Sequence, residues 1–440
     1  MANSLLNRQK RQGNGSPVFV DGVRSPFVKS FGVFEHSDTL ELFGRVVDGL
    51  IRKIDLDPWE LDEIIAGVVI PQVKNANVAR DTILNLGLPD HIHGYTLNRA
   101  CTSSLQAVTD AAKTIRWGHP SLILAGGVEC LSDVPIVYSK EARHFLQKLV
   151  KAKSPTDKLN SIKHFSAKSW FPKPPALAEP LTGLTMGEHA EIMAKINNIN
   201  RTEQDSFSIS SHQKAFIAQE KGLFKEEIIP IWPSPSFKPC IDTDNIIRGH
   251  SSPEALSHLR PVFDKEYGTL TAANSSPLTD GASVCLMADE KVAKDIGLPV
   301  KARLVDFLFV GVNPEQLLIG PALAIPKLLI RNNLTIDDID LFEIHEAFAA
   351  QVLSCLYSIE SKEFCEKHFG LSKPFGSIPK EKLNVNGGAI AIGHPFGATG
   401  VRLLTTLSNE LNRSQKHRGL IAICAAGGMA GAVIIERTAN

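Results

Sequence analysis

The sequence predicts an α/β protein built from two copies of one strand–helix order. Three observations carry this reading. Short apolar strand-like runs alternate with segments whose apolar residues recur at helical spacing. The order strand-helix-strand-helix-strand-helix-strand-strand occurs once before residue 130, closing near 282–289, and again after residue 300. Between the copies lies a stretch of different composition, rich in proline and basic residues. Alternation of this kind places helices on the faces of a mixed sheet.

The first copy opens with VFVDG (18–22), a buried strand. Asp38 and Glu41 have the spacing of a capping box, ahead of a helix carrying Leu40, Phe43, Val47, Leu50 and Ile54. EIIAGVVI (63–70) reads as a strand and NVARDTILNLG (77–87) as a helix ended by Gly87. YTLNR (95–99) is a strand that runs into Cys101. The following helix, to about Trp117, shows one apolar face through Leu105, Val108, Ala112 and Ile115. SLILAGG (121–127) and ASVCLMAD (282–289) complete the unit.

The second copy runs through ARLVDFLFV (302–310), the helix PALAIPKLLIRNN (321–333), DLFEIH (340–345) and the helix EAFAAQVLSCLYSI. LNVNG then stands where the first copy has its third strand. The helix GVRLLTTLSNEL and the strands LIAICAAGG and AGAVIIER follow. The expected division is 1–130 plus 268–295 for the first half, 131–267 for an inserted loop-rich subdomain, and 296–440 for the second half.

Bulk composition narrows the function. Among 440 residues, 43% are apolar, and 47 basic side chains balance 47 acidic ones. That balance gives no support for nucleic-acid binding. No apolar run reaches the roughly 18 residues a membrane span needs. Seven scattered cysteines without a CxxC pair argue against a disulfide scaffold or a structural zinc site, and fit a reducing compartment. The N-terminal stretch with Arg8, Lys10 and Arg11 lacks the apolar core of a secretory signal. From Lys140 to Lys173, nine Lys or Arg face two acids. A solvated face, an anionic ligand tail and a membrane surface are the three readings of such a segment.

Four motifs sit where strands give way to helices or turns. Cys101 precedes a helix, where unpaired N–H groups favour a thiolate nucleophile; a small buried hydrophobe is the alternative. His394 lies in NVNGGAIAIGHPFGATG (384–400), a glycine-rich loop able to expose a general base. His345 opens HEAFAAQ at the C-terminal end of a strand, where ligands collect in α/β sheets. Cys424 ends an apolar strand just before AAGGMAG. Each signal is weak alone; their shared placement at strand ends points to one cleft.

With these residues the chain resembles the thiolases, acyl-CoA:acetyl-CoA C-acyltransferases. VRSPF (23–27), MGEHAE (186–191), LRPVFD (259–264) and TLTAANSSPLTDGA (269–282) extend the match to nearly the whole chain. The HEAF motif and the basic insertion are most similar to the beta subunit of trifunctional-type β-oxidation complexes. The resemblance implies a five-layered αβαβα core and a 3-ketoacyl-CoA thiolase working through an acyl-cysteine. It implies Cys101 as nucleophile, His394 as its proton acceptor, Cys424 as acid and base on the second substrate, and His345 where many members have Asn. Backbone N–H groups of Cys101 and of Ala426 or Gly427 would form the oxyanion hole. Ala426 departs from the family's glycine there, and an alanine disfavours positive φ.

By the same resemblance Met186, Arg248, Phe263, Ala272, Ser276, Ala347 and Phe348 would contact CoA. Core packing accounts equally well for Met186 and Phe263, and a turn for Ser276. CoA and acyl-CoA are expected as substrates, with no tightly bound cofactor and no metal. Expected partners are a second thiolase subunit and a hydratase/3-hydroxyacyl-CoA dehydrogenase subunit in a hetero-tetramer. A helical hairpin at 138–173 would touch that partner or a membrane. The expected location is a bacterial cytoplasm, with a mitochondrion as the alternative. A biosynthetic acetoacetyl-CoA thiolase, an acyl-carrier-protein condensing enzyme and a non-catalytic acyl-CoA binder are the rival functions.

Overall fold

A computed structural model describes residues 13–118, 122–163, 170–171 and 178–438. Arg8, Lys10 and Arg11, and residues 164–169 and 172–177 of the basic segment, lie outside the described residues. The strands are β1 (Pro17–Arg24), β2 (Val28–Lys29), β3 (Glu63–Gly67), β4 (His93–Leu97), β5 (Leu122–Glu129), β6 (Thr279–Asp289), β7 (Ala302–Gly311), β8 (Leu341–Ile344), β9 (Arg418–Ala425) and β10 (Met429–Arg437). Their order is β4-β3-β5-β6-β1-β7-β10-β9-β8, with β2 on β6. The halves meet at β1 and β7, where only Val18 with Arg303 and Phe19 with Ala302 pair. The pairs β3–β4, β3–β5 and β8–β9 are parallel.

Strand alternation sorts side chains into three cores. Ile64 and Ala66 join the helix Thr39–Lys53 in one cluster, whereas Ile65 turns to the opposite face. Leu420, Ala422 and Cys424 pack with the outer helices Gly320–Arg331 and Ala349–Glu360. Ile421 and Ile423 face inward. The inner faces of both half-sheets converge on Leu105 and Val108 of the helix Ser103–Arg116 and on Val401 and Leu404 of the helix Thr399–Arg413. Helices therefore lie outside each half-sheet and between the two, giving five layers. The central helix pair brings the residues just before each helix, Cys101 and His394, into one neighbourhood.

Several expected elements differ in detail, each for a visible reason. β3 stops at Gly67 rather than 70, because the N–H groups of Val69 and Ile70 donate to the Glu129 carboxylate at 3.1 and 2.9 Å. LNVNG does not form a third strand in the second half. Leu383 makes one parallel bridge to Phe342, and Asn384 then turns to φ 43°. The Asn384 side chain takes over the next rung, accepting from Ile344 N at 2.8 Å and donating to its carbonyl at 2.9 Å. The helix after His345 begins at Ala349, not Glu346. The intervening backbone is held instead by Ser276 N donating to the Ala347 carbonyl at 2.9 Å. Asp38 caps its helix by accepting from Glu41 N, but the Glu41 carboxylate accepts from Ser234 Oγ at 2.7 Å.

The stretch 131–267 adds no strand to the main sheet among the described residues. It contributes the helices Lys140–Lys151, Pro155–Lys163, Met186–Ile196 and Arg201–Glu220. Arg24 of the VRSPF motif anchors it to the core. This fully buried guanidinium meets Glu227 and both Asp244 oxygens at 2.7–2.8 Å. Burial opposes its charge, but the two carboxylates, Asp244 foremost, raise its pKa above the ordinary arginine value.

Glycines let three segments touch beneath the cleft. A Cβ on Gly127 would stand 2.0 Å from the Gly397 carbonyl oxygen, and one on Gly397 would stand 2.5 Å from that of Gly67. Gly127→Ala should therefore push the 393–398 loop off the strand ends and cost about 1–3 kcal/mol, the usual range for overpacking. Thermal unfolding checks this: a lower Tm is expected, and an unchanged Tm would mean that these segments are not in contact.

Candidate active site

The cleft collects the four motif residues. Cys101 follows Ala100, which is held at φ 46°. Around this turn Asn98 Oδ1 accepts from Ala100 N at 2.9 Å, and Ser103 Oγ donates to the Ala100 carbonyl at 2.6 Å. A non-glycine residue with positive φ stores strain, and these bonds over-determine it. The turn presents Cys101 Sγ to His394 Nε2 at 3.2 Å, across 293 residues of sequence. The other ring nitrogen of His394 pairs with Thr399 Oγ1 at 2.6 Å, which fixes the imidazole plane. The rings of His345 and His394 lie 4.1 Å apart. His345 is fully buried, and neither of its ring nitrogens finds a partner among the described residues. Cys424, also buried, is the penultimate residue of β9, close enough to Cys101 for that thiol to oppose its ionisation.

Electrostatics hold this cluster neutral. Burial pushes the Cys101 thiol up to about 12; a hydrogen bond from Ala426 N–H opposes this, the Glu129 carboxyl adds to it, and the N–H of Cys101 itself opposes it. The helix N-terminus thus does not give the resting thiolate that its sequence position suggests, because desolvation outweighs it. Cys424 is raised well above an ordinary thiol by burial, then by Cys101 and Cys355. Burial, then the Arg402 charge, lowers His394 to about 3. Burial, His394 and Arg402 lower His345 well below an ordinary imidazole. A neutral thiol beside a neutral imidazole can pass its proton only as a new bond forms at sulfur.

The three backbone N–H groups expected to form the oxyanion hole have different partners. Ala426 N–H and Cys101 N–H both bear on the sulfur. Gly427 N–H is turned away and donates to Glu179 Oε1 at 2.6 Å. Positive φ falls on Gly427 and Gly428, at 80° and 64°, and not on Ala426. The alanine that departs from the family's glycine is therefore free of that strain.

A cleft of about 560 Å³ opens among the insertion helix, the 246–259 loop and residues 272–277. Arg248 and Ala272 line it, together with His212, Phe216 and His250. Arg248 N donates to His212 Nδ1 at 3.2 Å, and burial followed by the Arg248 charge lowers His212 to about 4. The other proposed CoA contacts lie outside this lining. Phe263 and Phe348 meet edge to face with centroids 5.9 Å apart, and both join the second-half core with Met186 and Ala347. Ser276 stays tied to the Ala347 carbonyl.

The family model described as thiolase, N-terminal domain, matches residues 17–291, and that described as thiolase, C-terminal domain, matches residues 298–437. The chain belongs to the thiolase family. It is 43% identical over 95% of its length to a probable 3-ketoacyl-CoA thiolase of Caenorhabditis elegans, covering 93% of that protein. It is 39% identical over 95% of its length to a 3-ketoacyl-CoA thiolase of Pseudoalteromonas translucida, covering 96% of it. Among solved structures, a Bacillus anthracis acetyl-CoA acetyltransferase superposes with TM-score 0.83 at 32% identity, over 96% of this chain and 99% of that one. Human mitochondrial 3-ketoacyl-CoA thiolase in complex with CoA gives 0.81 at 28%, over 98% and 100%. Thiolases are acyltransferases, and the layered fold of this one is theirs.

Sequence reasoning missed four polar residues that hold the cleft of this thiolase together. Glu129 binds Val69 N, Ile70 N and, at 3.0 Å, Gly397 N, so one carboxyl ties the end of β3 to the His394 loop. Burial raises it to about 7 against these bonds. A lone acid after the apolar run LILAGGV was the available signal. Glu346 accepts from Ser211 Oγ and Asn384 Nδ2, both at 2.7 Å, and joins the insertion to the second half. Arg402 is fully buried 3.6 Å from Glu343, which burial raises to about 8 despite Arg402. Glu179 had no signal beyond its charge.

Because the raised pKa favours the neutral thiol, the Cys101 thiolate fraction should climb about tenfold per pH unit well past neutrality. Alkylation of Cys101 by iodoacetamide should therefore keep accelerating from pH 7 to pH 10. A plateau reached below pH 8 would show a low-pKa thiolate instead.

Proposed function

We propose that this thiolase is a 3-ketoacyl-CoA thiolase, cleaving 3-oxoacyl-CoA with CoA to acetyl-CoA and a shortened acyl-CoA. The carrying observation is the 3.2 Å contact between Cys101 Sγ and His394 Nε2 beside Ala426 N–H. The names of the curated relatives support the substrate class.

In the first half-reaction, sulfur attacks the 3-oxo carbonyl carbon while His394 accepts the thiol proton. The negative charge on oxygen is met by the N–H groups of Cys101 and Ala426. The C2–C3 bond then breaks. Its electron pair leaves as the acetyl-CoA enolate, which takes a proton from Cys424, and the acyl group stays on Cys101. In the second, Cys424 as thiolate removes the proton of incoming CoA, whose sulfur attacks the acyl carbonyl. Cys101 leaves and regains its proton from His394. Splitting the reaction through a covalent intermediate replaces one hard step by two easier ones. His345, beside His394, faces the enolate oxygen in this scheme, in the role that Asn plays in many relatives. Arg248, at the 560 Å³ cleft, suits the anionic phosphates of CoA.

Degradation of fatty acids is the direction this reading favours over biosynthesis, on the names of the relatives and on the HEAF motif. Cys424 beside the GHP histidine speaks against a condensing enzyme that uses a carrier protein, and the retained Cys101 and His394 speak against a mere binder. Assembly as a homodimer, and with a hydratase/dehydrogenase subunit, belongs to the same reading, as does a cytoplasmic location. No helix among the described residues is long and apolar enough to cross a membrane. The helix Lys140–Lys151, with Lys158 beyond it, offers exposed basic side chains alongside exposed Ile136, Val150 and Phe171, which supports docking on that partner or on an anionic membrane. Charge reversal of Lys140, Arg143 and Lys148 should weaken both kinds of binding without changing thiolysis; unchanged partner and liposome binding would remove the docking role.

Thiolysis kinetics over 3-oxoacyl-CoA substrates of increasing chain length test the activity itself. CoA-dependent cleavage is expected, with Cys101→Ala lowering kcat by roughly a thousandfold or more. Turnover surviving in that variant would reject the nucleophile.

A further inference from the structure

The turn joining β9 to β10 holds the oxyanion donor, yet its own sequence leaves it loosely specified. Ala425 pairs with Met429, so only Ala426, Gly427 and Gly428 make the turn. Two successive glycines at positive φ have other conformations within easy reach. Rotation of the Ala426–Gly427 peptide would swing the Ala426 carbonyl to the position the Gly427 N–H now occupies, and in a turn of only three residues the accommodating shift reaches Ala426 and moves its N–H. Some contact outside the turn has to select the conformation that serves the reaction. One end is pinned by Val312 N donating to the Gly428 carbonyl at 2.7 Å. The other is pinned from the insertion, 248 residues away in sequence, by the carboxylate of Glu179.

We propose that Glu179 is a positioning residue for acyl transfer, locking the Ala426–Gly427 peptide so that Ala426 N–H stays aimed at the carbonyl on Cys101. The proposal rests on the thiolase reading above. A carboxylate accepts strongly from an N–H and repels a carbonyl oxygen, so it favours one peptide orientation and disfavours the other. The arm that carries it is itself built. Glu179 N donates to the Leu184 carbonyl, and Gly183 N to the Glu179 carbonyl, each at 2.8 Å. Ala178 bridges Thr185, whose hydroxyl caps the helix Met186–Ile196. The carboxylate thus reaches the turn from a closed loop anchored on a helix, not from a free side chain. Through it, the inserted subdomain touches the turn that carries Ala426 N–H.

Steady-state thiolysis by wild-type protein, Glu179→Ala and Glu179→Gln tests this. Wild-type turnover first establishes the thiolase reading on its own; its absence would overturn that reading and the proposal together. With the wild type active, Glu179→Ala should lose about 10- to 100-fold in kcat, somewhat less than deletion of an oxyanion donor costs. KM for CoA should stay within about twofold, since the cleft is untouched. Glu179→Gln keeps an acceptor oxygen for Gly427 N–H and should recover most of the rate. A kcat for Glu179→Ala within about twofold of wild type, or a loss carried by KM instead, would overturn the proposal while leaving the thiolase reading standing.

Discussion

The contact between Cys101 and His394 is the constraint that the architecture serves. Neither half of the chain can make it alone, because the sulfur comes from the first strand–helix unit and the imidazole from the second. The central pair of helices packs face to face and brings their leading turns together. Close approach then depends on the absence of side chains at Gly67, Gly127 and Gly397, where backbone meets backbone. Glu129 closes the same seam with hydrogen bonds to both sides. Core packing, glycine placement and one buried carboxyl thus converge on a single distance of 3.2 Å.

Dryness is the second feature, and it explains how neutral groups can do this chemistry. Desolvation is the first cause of the shifts at Cys101, Cys424, His345 and His394 alike. Buried ions are costly, so resting charge is kept off the reacting sulfur. In the proposed mechanism charge develops only as bonds change, beside the backbone N–H groups of Cys101 and Ala426 that bear on the sulfur. Preorganised dipoles in a largely desolvated site are worth most at that moment. After burial, the Arg402 charge also disfavours protonation of both imidazoles, so His394 is held neutral.

Much of this was legible in the residues. Apolar periodicity located the strands other than the two-residue β2 and overran where side chains replaced backbone, and the four motifs at strand ends marked the cleft. What stayed hidden was set by partners far along the chain. The truncation of β3 depends on Glu129, and the lost strand at LNVNG depends on Asn384 filling the Ile344 rung. The direction of Gly427 N–H depends on the Glu179 carboxylate that accepts from it. A local pattern cannot show which distant carboxylate a peptide group will meet. The thiol's pKa was misjudged for a related reason. A helix N-terminus is visible in sequence, whereas the depth of burial that overrides it is a property of the assembled halves.

The acyl-cysteine itself is open to direct observation. Brief incubation with a 3-oxoacyl-CoA in the absence of free CoA, followed by acid quench, proteolysis and mass spectrometry, reports which side chain carries the acyl group. The expected result is the shortened acyl mass on the peptide containing Cys101, discharged on adding CoA and missing from Cys101→Ala. An unmodified Cys101 peptide under turnover conditions, or an adduct confined to Cys424, would contradict the assignment.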